Sequence, residues 1–430
     1  MSPVTRSRRA PHPVLALADD LSGAAETAAA LGLRSRLVLG PATVAPPAGG
    51  EAVVIDLDTR RSPADEAARA VRTSLAAGSP DDAVMFKKVD SLLRGNLAAE
   101  TAAYAEGAAA VVIAPALPVA GRTVLDGVMH LHGTPLHATN AWRAESAPVP
   151  RSIPGALGSL STATVPLADV RAGTNVLIER LRAAVGDGRH PLCDAETQSD
   201  LDAIAEAALQ LGPGIRLLGT GGLALALGRS LAAGRPSHPE EDESPLSPAA
   251  SADRPLLIVV GTAEPGAVAQ IAQLTSNGVG HIALPPDLLG NAAELPRLDV
   301  APSGITVVSI DNSKGMSPCS GRRLVAALAR TVADVPMQTD LVLTGGETAR
   351  SVLDALGITQ LTPVGQIHHG AVCAHSPDGR TIVTRPGSFG DADSLLRIAR
   401  ALRPLHRPQT PAPSPTLAAE PPPVAQGETL

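Results

Sequence analysis

The chain has 430 residues, a formal net charge of −7, 44% hydrophobic residues and only 1% aromatics. That length exceeds one compact core and suits two domains with linkers. The acidic balance leaves no broad basic footprint, and Phe86, Tyr104, Trp142 and Phe389 are too few to stack bases, which argues against nucleic acid as a partner. No apolar run of about 18 residues exists to span a membrane. Met1 to Arg9 is basic, but the apolar stretch after it is broken by Asp19-Asp20 and Ser22-Gly23, a poor signal peptide. Cys193, Cys319 and Cys373 show no metal-binding spacing and read as reduced thiols, so the expected location is cytoplasmic.

In chain order, 14–18 is a short apolar strand ending at Asp19-Asp20, followed by an Ala-rich helix over 22–31 with Ser22 as its N-cap. Strands at 35–39, 52–57, 83–87 and 110–115 alternate with helices at 63–77 and 97–107. A less regular section spans 118–165, and a strand near 214–219 leads to a helix at 222–232. Residues 233–255 are rich in Pro, Ser and acid and read as a flexible linker. A second alternation starts at 256–260, with strands at 280–284, 304–310, 340–344 and 381–384, and 403–430 reads as a disordered Pro-rich tail. The expected fold is α/β in two domains, 12–232 and 256–402. Each has a mainly parallel sheet flanked by helices, with the active site in the cleft between them.

The densest chemistry lies in Lys87-Lys88-Val89-Asp90-Ser91-Leu92-Leu93-Arg94-Gly95-Asn96. Two ammonium groups, a guanidinium, a carboxylate, a hydroxyl and an amide follow directly on a strand, where open α/β sheets bind ligands. Cations grip carboxylate or phosphate while Asp and Asn hold hydroxyls, so a small polyhydroxylated anion fits. Asp19 and Asp20 sit at another strand end, and Arg60 at a third. In Ala114 to Thr123, Gly121 precedes Arg122 and lets the backbone approach a ligand, although a structural turn with a solvated Arg122 reads equally well. In the second half, Gly345-Gly346-Glu347-Thr348 lies between a strand and a helix, the arrangement by which free N–H groups and the helix dipole hold phosphate. Gly387-Ser388-Phe389-Gly390 is a second glycine-bearing loop. Two such loops suggest a nucleotide cradle that matches neither the P-loop nor the Rossmann fingerprint.

Taken together, ADDLSGA, KKVDSLLRGN, APALPVAGRT with DGVMHLHGTPL, TGGETA and PGSFGDAD resemble the four-carbon acid sugar kinases, the family of threonate, erythronate and 3-oxo-tetronate kinases. The resemblance covers nearly the whole chain outside its tail. It implies ATP-dependent phosphorylation of a terminal hydroxyl of a four-carbon sugar acid, with Mg2+, and small-molecule partners only. A homodimer is compatible with it. Matched positions imply substrate contacts from Asp19, Arg60, Lys87, Lys88, Val89, Asp90, Ser91, Arg94 and Asn96, with Asp20, Lys88 and Asp90 nearest the chemistry. ATP contacts are implied for Thr262, Gly345, Gly346, Glu347, Thr348, Gly387, Ser388, Phe389 and Gly390; the metal ligands are not implied. Where the family has a Gly-Ser-Cys-Ser loop this chain reads Gly261-Thr262-Ala263-Glu264, and Gly219-Thr220-Gly221-Gly222 replaces a Gly-Ser-Ala-Gly stretch. The Asp-Pro pair of the family is absent near Ala144-Glu145-Ser146, and Gln366 and His369 replace a Glu and a Pro. The same residues also suit a non-catalytic nucleotide- or metabolite-binding protein, or an epimerase or aldolase acting on sugar acids.

Overall fold

The computed structural model describes residues 12–41, 44–76, 83–143, 145, 147–232, 254–261, 265–290, 295–300, 304–311, 318–387 and 390–403. Residues 233–253 of the expected linker (233–255), residues 404–430 of the expected tail (403–430), and Thr262, Ala263, Glu264, Ser388 and Phe389 lie outside the described residues.

The N-terminal half forms β1 (Val14–Ala18), β2 (Arg34–Leu39), β3 (Glu51–Asp56), β4 (Val84–Lys88), β5 (Ala110–Ala114), β6 (Arg122–Leu125), β7 (Val128–Leu131), β8 (Thr134–Pro135), β9 (Thr162–Val165), β10 (His190–Cys193) and β11 (Ile215–Gly219). Eight of these make a parallel sheet in the order β2-β3-β1-β4-β11-β5-β10-β9. Val14–Ala18 and Ala110–Ala114 are buried along their whole length, as strands of a sheet covered on both faces must be. The less regular section holds an antiparallel sheet of its own, β6-β7-β8.

The C-terminal half forms β12 (Leu256–Val260), β13 (Gly280–Leu284), β14 (Ile305–Ile310), β15 (Asp340–Thr344), β16 (Gln360–His368), β17 (Ala371–His375) and β18 (Thr381–Arg385). Strands β13-β14-β12-β15-β18 are parallel, and β17 and β16 continue the sheet antiparallel. The β16–β17 hairpin falls outside the alternation that the sequence suggested. Gly365, His368, His369 and Gly370 blur its period, and the pairing slips register twice. Strand β16 also pairs with β2 through Gln360–Val38 and Leu361–Leu37, so both halves share one sheet of 15 strands.

Both halves place their first four strands in the same order: second, third, first, fourth. In each, the chain leaves the first strand toward one edge and crosses to its other side before the fourth. This opens a crevice at the carboxyl ends of the first and fourth strands, where such sheets bind ligands. The crevices lie at β1/β4 and at β12/β15.

With few aromatics, the core is Ala, Val, Leu and Ile, with Phe86 and Tyr104 fully enclosed and the Tyr104 hydroxyl donating to the Leu217 carbonyl at 3.2 Å. The first helix runs Leu21–Ala30, and its N-cap is Asp20 rather than the expected Ser22. Asp20 has extended backbone and accepts from Gly23 N at 2.9 Å, whereas Ser22 is buried inside the first turn.

Candidate active site

At the β1/β4 crevice, three loops meet around Arg60. The Asp19 carbonyl accepts from the Thr59 and Arg60 amides at 3.0 and 3.1 Å, which seats the loop after β3 against the end of β1. Arg60 Nε and Nη2 donate to Asp19 at 2.7 and 2.9 Å, and Nη1 and Nη2 donate to Asp20 at 2.9 and 2.8 Å. Asp90 lies 3.7 Å from the same guanidinium and accepts twice from the Arg94 guanidinium, at 2.8 Å each, and once from the Arg94 amide at 3.2 Å. Gly95 makes this closeness feasible. Its φ is +87°, and a Cβ there would stand 3.2 Å from Arg60 Cγ and 3.3 Å from Asp19 Oδ2.

The three carboxylates differ in character. Burial pushes every one of them up, but Arg60 outweighs burial at Asp19 and holds it below the usual range. Arg60 and Arg94 together hold Asp90 far below it. At Asp20, burial and the neighbouring Asp19 prevail over Arg60 and Lys88, and its carboxyl is raised. Asp20 is the carboxylate of the three most ready to take a proton.

The remaining members of the Lys87–Asn96 run divide between pocket and scaffold. Lys87 is fully buried and pairs with Glu100 at 2.6 Å, while Thr59 Oγ1 donates to the other Glu100 oxygen at 2.5 Å. Lys88 points the other way, 3.3 Å from Glu26, and a Cβ on Gly23 would stand 2.9 Å from its Nζ. Val89 is buried, and its amide continues the sheet to the Gly219 carbonyl at 2.9 Å. Asn96 Nδ2 donates to the Thr59 and Ser62 carbonyls at 2.7 and 2.8 Å, stapling two loops together. Ser91 accepts from Arg122 Nη1, and Trp142 Nε1 donates to the Leu92 carbonyl at 2.8 Å, so the section after β5 encloses this loop. Gly121, with φ +64°, leaves room for the His132 ring, which a Cβ would strike, rather than for a ligand.

The β12/β15 crevice is built differently. Gly345 has φ +95° and caps the helix Gly346–Ala355, so the free amides of that helix open onto the crevice. Gly261 at the end of β12 packs directly against Thr348, whose Oγ1 would overlap any Cβ placed there. Glu347 is partly exposed and sits 3.3 Å from Arg61 and 3.6 Å from Arg322. Gly387 follows β18, and Gly390, with φ +87°, lies against Ser394. Gln270 holds that loop by donating to the Gly390 and Asp391 carbonyls at 3.2 and 2.9 Å, and it accepts from Arg385 at 2.8 Å.

The two crevices face each other. Ideal Cβ geometry at Gly346 falls 3.1 Å from both Asp20 Oδ2 and Ser22 Oγ, so the helix that opens the glycine loop begins beside the first-strand carboxylate. Arg350 of the same helix reaches back to fully buried Asp56 at 2.9 Å. Sequence reasoning passed over Glu26, Glu100, Gln270, Arg350 and Arg385. Glu26 and Glu100 lie within helices one or two turns from a motif, and only spatial packing reveals their roles.

Residues 14–228 match the family model of a sugar-binding N-terminal domain, and residues 257–395 that of a nucleotide-binding C-terminal domain. The chain is 34% identical over 415 residues to a D-threonate kinase of Cupriavidus necator, covering 90% of this chain and 97% of that one. It belongs to the four-carbon acid sugar kinase family. Another member of the four-carbon acid sugar kinases, a 3-oxo-tetronate kinase of Methylobacterium radiotolerans, is 28% identical across 89% of this chain and 97% of its own. A crystal structure of a Salmonella typhimurium protein superposes with a TM-score of 0.71 at 21% identity, covering 90% of this chain and 99% of that one, and shares the fold. In this acid sugar kinase, the β1/β4 crevice belongs to the sugar-binding segment and the β12/β15 crevice to the nucleotide-binding one.

Proposed function

We propose that this protein is an ATP-dependent phosphotransferase that phosphorylates a terminal hydroxyl of a four-carbon sugar acid. The observation that carries the reading is the approach of Gly346 to Asp20 and Ser22. A phosphate held on the amides of the helix Gly346–Ala355 would lie next to a carboxylate able to accept a hydroxyl proton. Phosphoryl transfer requires chiefly alignment and charge neutralisation, and the two facing crevices supply both.

In this reading Asp20 takes the proton of the attacking hydroxyl. Asp19 and Asp90, kept ionised by arginines, accept hydrogen bonds from substrate hydroxyls. Lys88 and Arg60 offset negative charge near the transferring group. Lys87, Val89 and Asn96 shape the loop from behind, as their burial and bonds indicate. Glycines 345, 346, 387 and 390 with Thr348 border the ATP phosphates. Among the described residues no group of three or more His, Cys, Asp or Glu could hold a metal. Magnesium commonly rests on one or two carboxylates plus substrate phosphates, which Glu347 at the head of that helix fits. When bound, it would neutralise charge on the β- and γ-phosphates.

Among the described residues no helix is long and apolar enough to cross a membrane. Cys193 and Cys373 are buried, with burial raising both thiols, Cys373 to about 12, and inert thiols of this kind suit a reducing cytoplasm.

An ATP-coupled screen over three- to six-carbon sugar acids, 3-oxo forms included, tests the proposal. ADP release with a four-carbon acid and a phosphorylated product is expected. Binding of ATP and a sugar acid by calorimetry with no turnover would instead identify a binding protein.

A further inference from the structure

Five cations lie in or directly behind the β1/β4 crevice, and four of them already have a carboxylate. Arg60 is held by Asp19 and Asp20, Arg94 by Asp90, Lys88 by Glu26 and Lys87 by Glu100. Arg122 is the exception. Among the described residues no carboxylate lies within ion-pair distance of it, its Nε is buried without a hydrogen-bond partner, and its Nη1 reaches the neutral Ser91 hydroxyl. The charged groups that influence it are Asp90, Arg94 and Glu26. Both acids are engaged elsewhere, and Arg94 repels it. Burial and Arg94 accordingly pull this guanidinium below its ordinary range. A half-buried guanidinium with its Nε shut off from water is costly to leave without an anion unless something supplies one.

The support beneath Arg122 is rigid. Its backbone exchanges two hydrogen bonds with Leu117, at 2.8 and 3.1 Å, and it opens the β6-β7-β8 sheet. The β6–β7 turn is pinned by Asp194, whose carboxylate accepts from Asp126 N at 2.8 Å and Gly127 N at 3.0 Å. Val124 pairs with Ala195 beyond β10. The backbone that carries this long side chain is thereby held, and the guanidinium is presented beside Ser91 without an internal counter-ion, as a receptor for an incoming anion requires.

Resting on the kinase reading above, we infer that Arg122 binds the carboxylate of the sugar acid and so sets which end of the substrate meets ATP. The crevice is then bipolar. Surplus positive charge stands at Arg122, and surplus negative charge stands where three carboxylates share Arg60 and Arg94. A sugar acid with its carboxylate on Arg122 points its hydroxyl end toward Asp20 and Gly346. Arg122 is thus the determinant for acids over uncharged polyols.

The test compares D-threonate with threitol, which keeps the four-carbon chain but lacks the carboxylate. Kinetics and ATP-free calorimetry are run on wild type, Arg122→Gln and Arg122→Lys. In wild type the acid is expected to be preferred. Arg122→Gln is expected to raise KM for D-threonate about 100-fold, with a much smaller change in kcat and a much smaller loss with threitol. Arg122→Lys is expected to recover part of the preference, since charge returns without the planar fork. A purely structural role would weaken both substrates alike. Equal losses for both, an unchanged preference in Arg122→Gln, or no acid preference in wild type would each overturn the inference. Failure of the kinase reading shows separately: wild type would bind D-threonate in calorimetry, lose that binding in Arg122→Gln, and still release no ADP.

Discussion

The two crevices share a strand order but solve opposite problems. Around β1 and β4 the site is crowded with ionised side chains, nearly all held in place by partners within the protein. Around β12 and β15 the groups at the strand ends are glycines and hydroxyls: Gly261, Gly345, Gly346 and Thr348. A sugar acid brings hydroxyls that need oriented acceptors, and orientation requires locked side chains. A nucleotide brings its own dense charge, and backbone amides reached across glycine suffice to receive it. In the proposed reading, the strand order shared by the first four strands of each half serves two ligands through different residues at the strand ends.

Three changes would break or sharpen this contrast. The largest effect is expected for Asp20→Asn, which should cut kcat by about 10²–10⁴-fold while ATP affinity stays near wild type. The Asp20 carboxyl is raised mainly by burial. The acid limb of the wild-type pH–rate profile should therefore lie above the ordinary carboxylate range and disappear in the residual rate of Asp20→Asn. A loss of nucleotide binding in that variant would blur the division between the crevices.

Next in size is Gly261→Ala. Its new methyl must displace Thr348, so KM for ATP should rise about tenfold, while calorimetry of the sugar acid alone should be unchanged. Equal damage to both ligands would mean that the crevices are not independent.

The smallest effect concerns the link between the halves. Asp56 is raised to about 7, by burial first, against the pull of Arg350. Below about pH 4 both folded and unfolded chains hold this proton. Between about pH 4 and 7 only the folded chain does, so its contribution falls as pH rises and levels off above about 7. Denaturant titrations should show wild type losing stability across that window relative to Asp56→Asn. A constant difference would place the Asp56 titration elsewhere.

Much of the site was readable because it sits at strand ends. The runs at Asp19, Lys88 and Gly345 each follow an apolar stretch whose length and burial mark a parallel strand. The period of a strand also explains an error of emphasis. Lys87 and Lys88 are adjacent on β4 and must face opposite sides of the sheet, so only one of them can serve the pocket. Arg122 was readable as a residue but not as a role, because its importance lies in the carboxylate it lacks. The joining of the sheets through β2 and β16 left no local trace, since two paired residues need no special composition.

The scarcity of aromatic residues has a practical consequence. Trp142 is the single tryptophan, and its indole is anchored to the carbonyl of Leu92, inside the loop that carries Asp90 and Ser91. The enzyme is thus built with an intrinsic fluorophore tethered to its sugar-binding edge. Emission excited at the indole band reports that edge alone, without labels and without interference from the nucleotide half.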